Sequence, residues 1–221
     1  MQSIQKGRRK PYRFEQLEDR SMMAGNVAAA VVDGALVLTG DNNANYVVVH
    51  QTGSHQFQVQ GLATTIKSGS HSGSSFTFKN VDELAVDLRG GADSLNLYNS
   101  TLSGTVGINM GSGNDVVTVT NVSSSVFGAN LGDGNDVASI YKVSTTAFAV
   151  DAGDGRDAVV INTVSANNLG VDMGNGNYDV LTVVLSKATN AGFVDQGTNG
   201  TLSRAGNKFT HQGAEGFRWV V

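Results

Sequence analysis

The chain has 221 residues with a formal net charge of −4, 28 glycines, one proline and no cysteine. Without thiols, neither a disulfide framework nor a thiolate metal site can form, so a bound metal must be held by oxygen or by the four scattered histidines. No apolar run approaches the roughly 18–20 residues that cross a bilayer as a helix. The charge is divided unevenly: residues 1–20 carry six cations against three acids, while residues 82–195 carry thirteen acids against four cations. An acidic body disfavours nucleic acid and anionic membranes as partners, since both call for a cationic surface. It favours cations.

Residues 1–25 read as a segment outside the fold. A basic start is followed by Phe14-Glu15-Gln16-Leu17-Glu18-Asp19-Arg20-Ser21-Met22-Met23-Ala24, without the apolar core of a secretory signal. On residue chemistry alone this is a disordered tail or a short helix. The eleven residues resemble the F-E-x-L-E-x-R-x-(L/M)-(L/M)-A segment at the N-termini of many exported planctomycete proteins. That resemblance implies a secreted or cell-surface location, with trimming near Ala24-Gly25.

Residues 26–80 read as β-hairpins forming an N-terminal cap. Ala28–Val32 and Ala35–Thr39 flank Asp33-Gly34, a dipeptide that favours a type I′ turn. Tyr46–Gln51 and Gln56–Gln60 repeat the arrangement around Thr52-Gly53, and Lys67–Ser75, rich in Gly, Ser and His, reads as a loop. Gly40–Val49 looks like a decayed repeat, with Asn45 at the place of the loop Asp found downstream.

Residues 81–196 repeat. Gly111-Ser112-Gly113-Asn114-Asp115 returns as Gly132-Asp133-Gly134-Asn135-Asp136 and Gly153-Asp154-Gly155-Arg156-Asp157, at a step of 21 residues. Looser copies are Arg89-Gly90-Gly91-Ala92-Asp93 and Gly174-Asn175-Gly176-Asn177-Tyr178-Asp179. A fixed period of this length marks stacked coils. Apolar residues alternate before each loop (Val106, Ile108, Met110; Phe127, Ala129, Leu131) and after it (Val117, Val119; Ala138, Ile140), so each coil holds two strands with apolar side chains inward. Val122, Val143, Val164 and Leu185, beside Ser123, Ser144, Ser165 and Ser186, mark a second corner. The expected fold is all-β: a parallel β-solenoid, β-helix or β-roll-like, with 21-residue coils. Residues 197–221 break the period, and the alternation of Phe217, Trp219 and Val221 suits a closing strand in a C-terminal cap.

Stacking places equivalent residues about 4.8 Å apart, so Asp93, Asp115, Asp136, Asp157 and Asp179 form a column of five carboxylates. Unit charges at that spacing repel by about 3.5 kcal/mol at an effective dielectric of 20 and by about 0.9 kcal/mol in bulk water. An unbroken column therefore calls for splaying into solvent, raised pKa values, or cations between coils. A second column, Asp87, Asn109, Asn130, Asp151, Asp172 with Asp195 as a further candidate, lies one strand position before the loop, and Asp133 and Asp154 add further oxygens. Calcium is the cation this suits, taking 6–8 oxygens from carboxylates and carbonyls in tolerant geometry. The competing reading is that Gly-x-Gly-Asn-Asp is simply good turn chemistry.

Gly111–Thr118, Gly132–Ser139 and Gly153–Val160 resemble the repeats-in-toxin (hemolysin-type) nonapeptide G-G-x-G-x-D-x-U-x. The resemblance implies a β-roll with calcium between stacked loops, held by Asp115, Asp136 and Asp157 and, on looser copies, Asp93 and Asp179. Departures are Met110, Leu131 or Ala152 at the first Gly, one motif per coil rather than two, Arg156, and the insertion at Tyr178.

The expected function is a secreted or cell-surface, calcium-stabilised structural or adhesive module, without catalysis, whose partners are calcium and a cell-surface or matrix polysaccharide. A β-helical carbohydrate-active enzyme such as a polysaccharide lyase is the alternative; it needs acids, bases and cations clustered on one sheet face. Lys142, Arg156 and Lys187 share no column, and His50, His55, His71 and His211 lie outside the coils. A metal-free ice- or surface-binding solenoid would want a regular Thr ladder, whereas the outward positions run Asn96, Thr118, Ser139, Val160, Thr182.

Overall fold

The computed structural model describes residues 25–184, 186–196, 199–204, 207–212 and 217–220. The export-like segment before Gly25, and Leu185 and Val221, lie outside the described residues. What is described is all-β, a parallel β-solenoid of about five turns.

Two stacks of parallel strands build it, because every coil alternates apolar and polar residues on both sides of its loop. One face stacks Ala35–Thr39, Glu83–Asp87, Thr105–Asn109, Val126–Asn130, Ala147–Asp151, Ser165–Asp172 and Lys187–Asp195. The other stacks Tyr46–Gly53, Ser94–Thr101, Val116–Ser123, Val137–Ser144, Ala158–Asn162, Asn175–Val184 and Asn199–Arg204. The inward residues of both faces make one core, in which Leu84, Val106, Phe127, Phe148 and Leu169 form one buried column and Leu95, Val117, Ala138, Val159 and Leu181 another. Phe127 and Phe148 stack in adjacent coils with ring centroids 5.1 Å apart.

The second corner sits where the valines predicted it. Ser100, Val122, Val143 and Val164 turn inward and are buried, each preceded by a residue of positive φ: Asn99, Asn121, Lys142 and Thr163. A left-handed residue at a fixed place in each coil turns the chain, and Asn is the side chain that tolerates it best. Asn121 Nδ2 donates to Asn99 Oδ1 at 2.9 Å across two coils. The serine column runs in register through Ser123, Ser144 and Ser165 but not to Ser186, because Ser165 pairs with Lys187. The inserted residue at Tyr178, with φ of 70° and a register shift between Asn177 and Asp179, lengthens that coil by one. For the same reason Asp172 pairs with Val194, so Asp195 does not extend the Asp172 column.

The first coil comes from the hairpin region. Asn26–Val32 and Ala35–Thr39 pair antiparallel through Asp33 (φ 49°) and Gly34 (φ 83°), the left-handed pair a type I′ turn requires. Ala35–Thr39 and Tyr46–Gly53 then stack on the coils that follow, and Gln56–Gly61 and Ser75–Lys79 fold back antiparallel. The stretch expected to be a loop over Lys67–Ser75 is instead a small hairpin, Thr65–Ser68 with His71–Gly73, turning at Gly69 (φ 57°). Ile66, buried in the core, anchors it. The C-terminal region holds three strands where alternation showed one. Asn199–Arg204 continues the second face, Asn207–Gln212 folds back on it, and Phe217–Val220 pairs antiparallel with Lys187–Asp195.

The loop glycines are set by stacking. At Gly113, Gly134 and Gly155 φ lies at 141–150°, and a Cβ would fall 1.5 Å from the carbonyl oxygen of the glycine one coil before. At Gly128, in the middle of a strand, a Cβ would meet nothing within 4 Å. Gly134→Ala should therefore cost about 2–4 kcal/mol, while Gly128→Ala should be neutral or stabilise by about 0.5 kcal/mol. Chemical denaturation of the two variants checks this, and equal effects would refute the stacking argument.

Candidate functional site: the aspartate column

Each loop aspartate lies two residues before an inward residue of the following strand, Asp115 before Val117 and Asp136 before Ala138, and shares its inward parity. The structure places all five, Asp93, Asp115, Asp136, Asp157 and Asp179, inside the turn, none more than 2% exposed. Splaying into solvent is thereby excluded. One carboxylate oxygen of each is used to join coils. The N–H of Asp93 donates to Asp115 Oδ1 at 2.7 Å, that of Asp115 to Asp136 Oδ1 at 2.7 Å, that of Asp136 to Asp157 Oδ1 at 2.8 Å, and that of Asp157 to Asp179 Oδ1 at 2.8 Å. A carboxylate here receives a main-chain donor from the coil before it, a charge-assisted bond stronger than a neutral one.

The other oxygen is different. Oδ2 of Asp93, Asp115, Asp136 and Asp157 is buried with no hydrogen-bond partner. Buried polar atoms are nearly always satisfied, so four orphans in consecutive coils demand an explanation. Their surroundings disfavour charge. Desolvation pushes the Asp93 and Asp157 carboxyls up to about 7 and that of Asp136 up to about 6, and raises Asp115 as well. The backbone N–H bond pulls each back in part, and for Asp93, Asp136 and Asp157 neighbouring carboxylates add to the rise.

The remaining predicted ligands lie elsewhere. Asp133 and Asp154 are exposed on the outer edge of the loops, paired through their backbones, and Asp154 Oδ1 accepts from Asn175 Nδ2 at 3.1 Å. Asp151 and Asp172 face outward on the first sheet, each accepting from the N–H of the glycine two residues on. Nine candidate aspartates thus divide into a buried column of five and two outward pairs; the exposed Asp133 and Asp154 lie close enough for their charge to raise the Asp136 and Asp157 carboxyls. Among the described residues no three acid or histidine side chains converge as a metal cluster would. A cation in the column would need backbone carbonyls or water to complete its shell.

The first sheet also carries a shallow groove of about 850 Å³. Gly107, Gly128, Ala149, Gly170 and Gly192 floor it, with Asn130, Asp151 and Asp172 along one side and Asn168 and Asn190 along the other. Among the residues whose side chains are described, no histidine, lysine, arginine or glutamate lines it.

Comparison with family models, with curated proteins and with solved structures finds no match to this chain.

A carboxyl raised in the folded state holds its proton more tightly there than in the unfolded chain. The metal-free protein should be most stable at acid pH, lose stability as pH rises from about 4 towards 7, and level off above. Denaturant titrations in chelator between pH 4.5 and 8.5 check the sign; stability rising with pH would show the column to be charged and satisfied without metal.

Proposed function

We propose that the chain is a structural or adhesive module of an exported surface, a β-solenoid whose aspartate column is compensated by calcium. The observation that carries the reading is the run of buried Oδ2 atoms without partners in Asp93, Asp115, Asp136 and Asp157. A hard divalent cation satisfies such oxygens and cancels their mutual repulsion, and coil backbone can supply further carbonyls. The likeness of the loops to the toxin repeats and of residues 14–24 to the export segment supports the same reading.

The groove supports a binding rather than a catalytic role. A lyase needs a base and cationic groups at the substrate carboxylate, and the described side chains of this lining offer amides and two carboxylates. Its Asn and Asp side chains suit the hydroxyls of an uncharged surface or matrix polysaccharide and repel an acidic one. Incubation with pectin, alginate and neutral glycans should release no product; measurable turnover would overturn the non-catalytic reading.

A metal-free reading has its own observation: one oxygen of each carboxylate already accepts a main-chain N–H, and a proton on the other would remove the charge. Thermal melts by circular dichroism at pH 8 separate the two. Calcium binding predicts a melting temperature that rises by several degrees with millimolar calcium but not magnesium. Asp136→Asn keeps the oxygen acceptor and removes the charge, so it should stabilise in chelator and lose stability relative to wild type in calcium. Coincident melts of the wild-type chain in calcium and chelator would leave the proton ladder as the account of the column.

A further inference from the structure

The acidity of the body is not spread evenly over the solenoid. Outward side chains of the first face include Glu83, Asp87, Asp151 and Asp172, and the loops expose Asp133 and Asp154. The second face is different. Between Ser94 and Val184 its outward positions hold Val, Thr, Ser, Asn, Tyr and Ala, with no acid, lysine or arginine. Lys142, at the corner beside this face, lies over the Tyr141 ring with Nζ 5.4 Å from its centroid. Six of the ten large apolar side chains exposed among the described residues stand here: Tyr46, Val116, Val137, Tyr141, Val160 and Val180, each 39–45% exposed. The register from Tyr46 to Val184 runs without a slip, so they form one continuous surface.

We propose that two copies of the chain pair through this face, sheet against sheet, about a two-fold axis that brings the Ser139 of each copy close to that of the other. Ser139 lies in the fourth of the seven strands, at the middle of the face. Charge selects the partner. Residues 82–195 carry thirteen acids against four cations, so two copies repel through most of their surface, and the second face is where they meet without that penalty. Area agrees. Seven strands at about 4.8 Å, each presenting five residues at about 3.3 Å, make a face of about 34 Å by about 17 Å. Two such faces bury about 1,100 Å² before side-chain relief is counted, past the roughly 1,000 Å² that a specific interface clears. An isologous contact of this kind closes on itself. It leaves the groove of the first face open on both outer sides of the dimer.

Sedimentation velocity of the full chain in millimolar calcium tests it, at about 100 μM, above the micromolar end of the range for specific interfaces. The wild-type chain should run as a dimer. Ser139→Glu and Ser139→Lys each set like charges against one another across the axis and should weaken the dimer by about a hundredfold or more. An equimolar mixture of the two should restore it. Val126→Glu, which charges an exposed valine of the first face, should leave the dimer intact. Circular dichroism spectra matching wild type show that each variant keeps its coils; should those at 139 not fold, Thr118→Glu and Thr118→Lys, one coil earlier, take their place. A wild-type monomer overturns the proposal, whether its face is bare or taken by a polysaccharide or by the chain's own N-terminal segment. So does a dimer that survives both charges at 139, one that mixing fails to restore, or one lost equally to Val126→Glu.

Discussion

The constraint on which the loop side of this solenoid depends is a single repeated bond, from the main-chain N–H of one loop residue to the carboxylate of the equivalent residue in the next coil. Side chains tie loop to loop at the place where the strand ladder is interrupted. An Asp is the right length for this, and its inward parity removes it from competition with water. Once the loops are locked together at that point, their carbonyls abut the next loop's glycines, and positions 113, 134 and 155 lose any freedom to carry a side chain. Motif and burial follow from the same bond.

Its cost is electrostatic. Five acids in a desolvated column repel, and in Asp93, Asp115, Asp136 and Asp157 the bond that joins the coils satisfies only one oxygen. A charged carboxylate with a buried, unpaired oxygen is among the more expensive arrangements a protein can hold. A proton and a cation both relieve it, and they act against each other, since a cation binds the ionised form and displaces the proton. The raised carboxyls at 93, 136 and 157 are therefore a property of the column with no cation in it. On the calcium reading proposed above, stability against pH and stability against calcium are two readings of one site.

Much of this was legible in the sequence. Period 2 on both sides of a loop repeating every 21 residues named the two faces, their inward residues and the parallel stack, because side-chain alternation and coil length are both read directly from residue order. The inward position of the aspartates was legible too, since Asp115 stands in the same parity as Val117 and Val119, but an acidic residue in a turn invites an outward reading. Asn45 was visible as a decayed repeat; its buried side-chain oxygen without a partner was not. What could not be read were features that depend on contacts across coils. The hairpin at Thr65–Ser68 and His71–Gly73 is held by Ile66 in the core, and the three C-terminal strands exist by pairing with coils already formed. The slip that sets Asp172 against Val194 comes from one inserted residue absorbed at Tyr178.

The two ends of the stack solve different problems. At both ends antiparallel strands turn back on the open edge, which would otherwise offer unpaired main-chain groups to another chain. Hairpins close a sheet edge but do nothing for a column of acids inside a turn. At the N-terminal end that column is closed by Asn45, which accepts the same place in the ladder while adding no charge beside Asp93. An Asp at 45 would place a sixth carboxylate against a neighbour already pushed up by desolvation, by Asp115 and by Asp41. The last inter-coil bond comes from the main-chain N–H of residue 45 and is kept with either side chain, but with Asn there the repulsion stops one layer short of the cap.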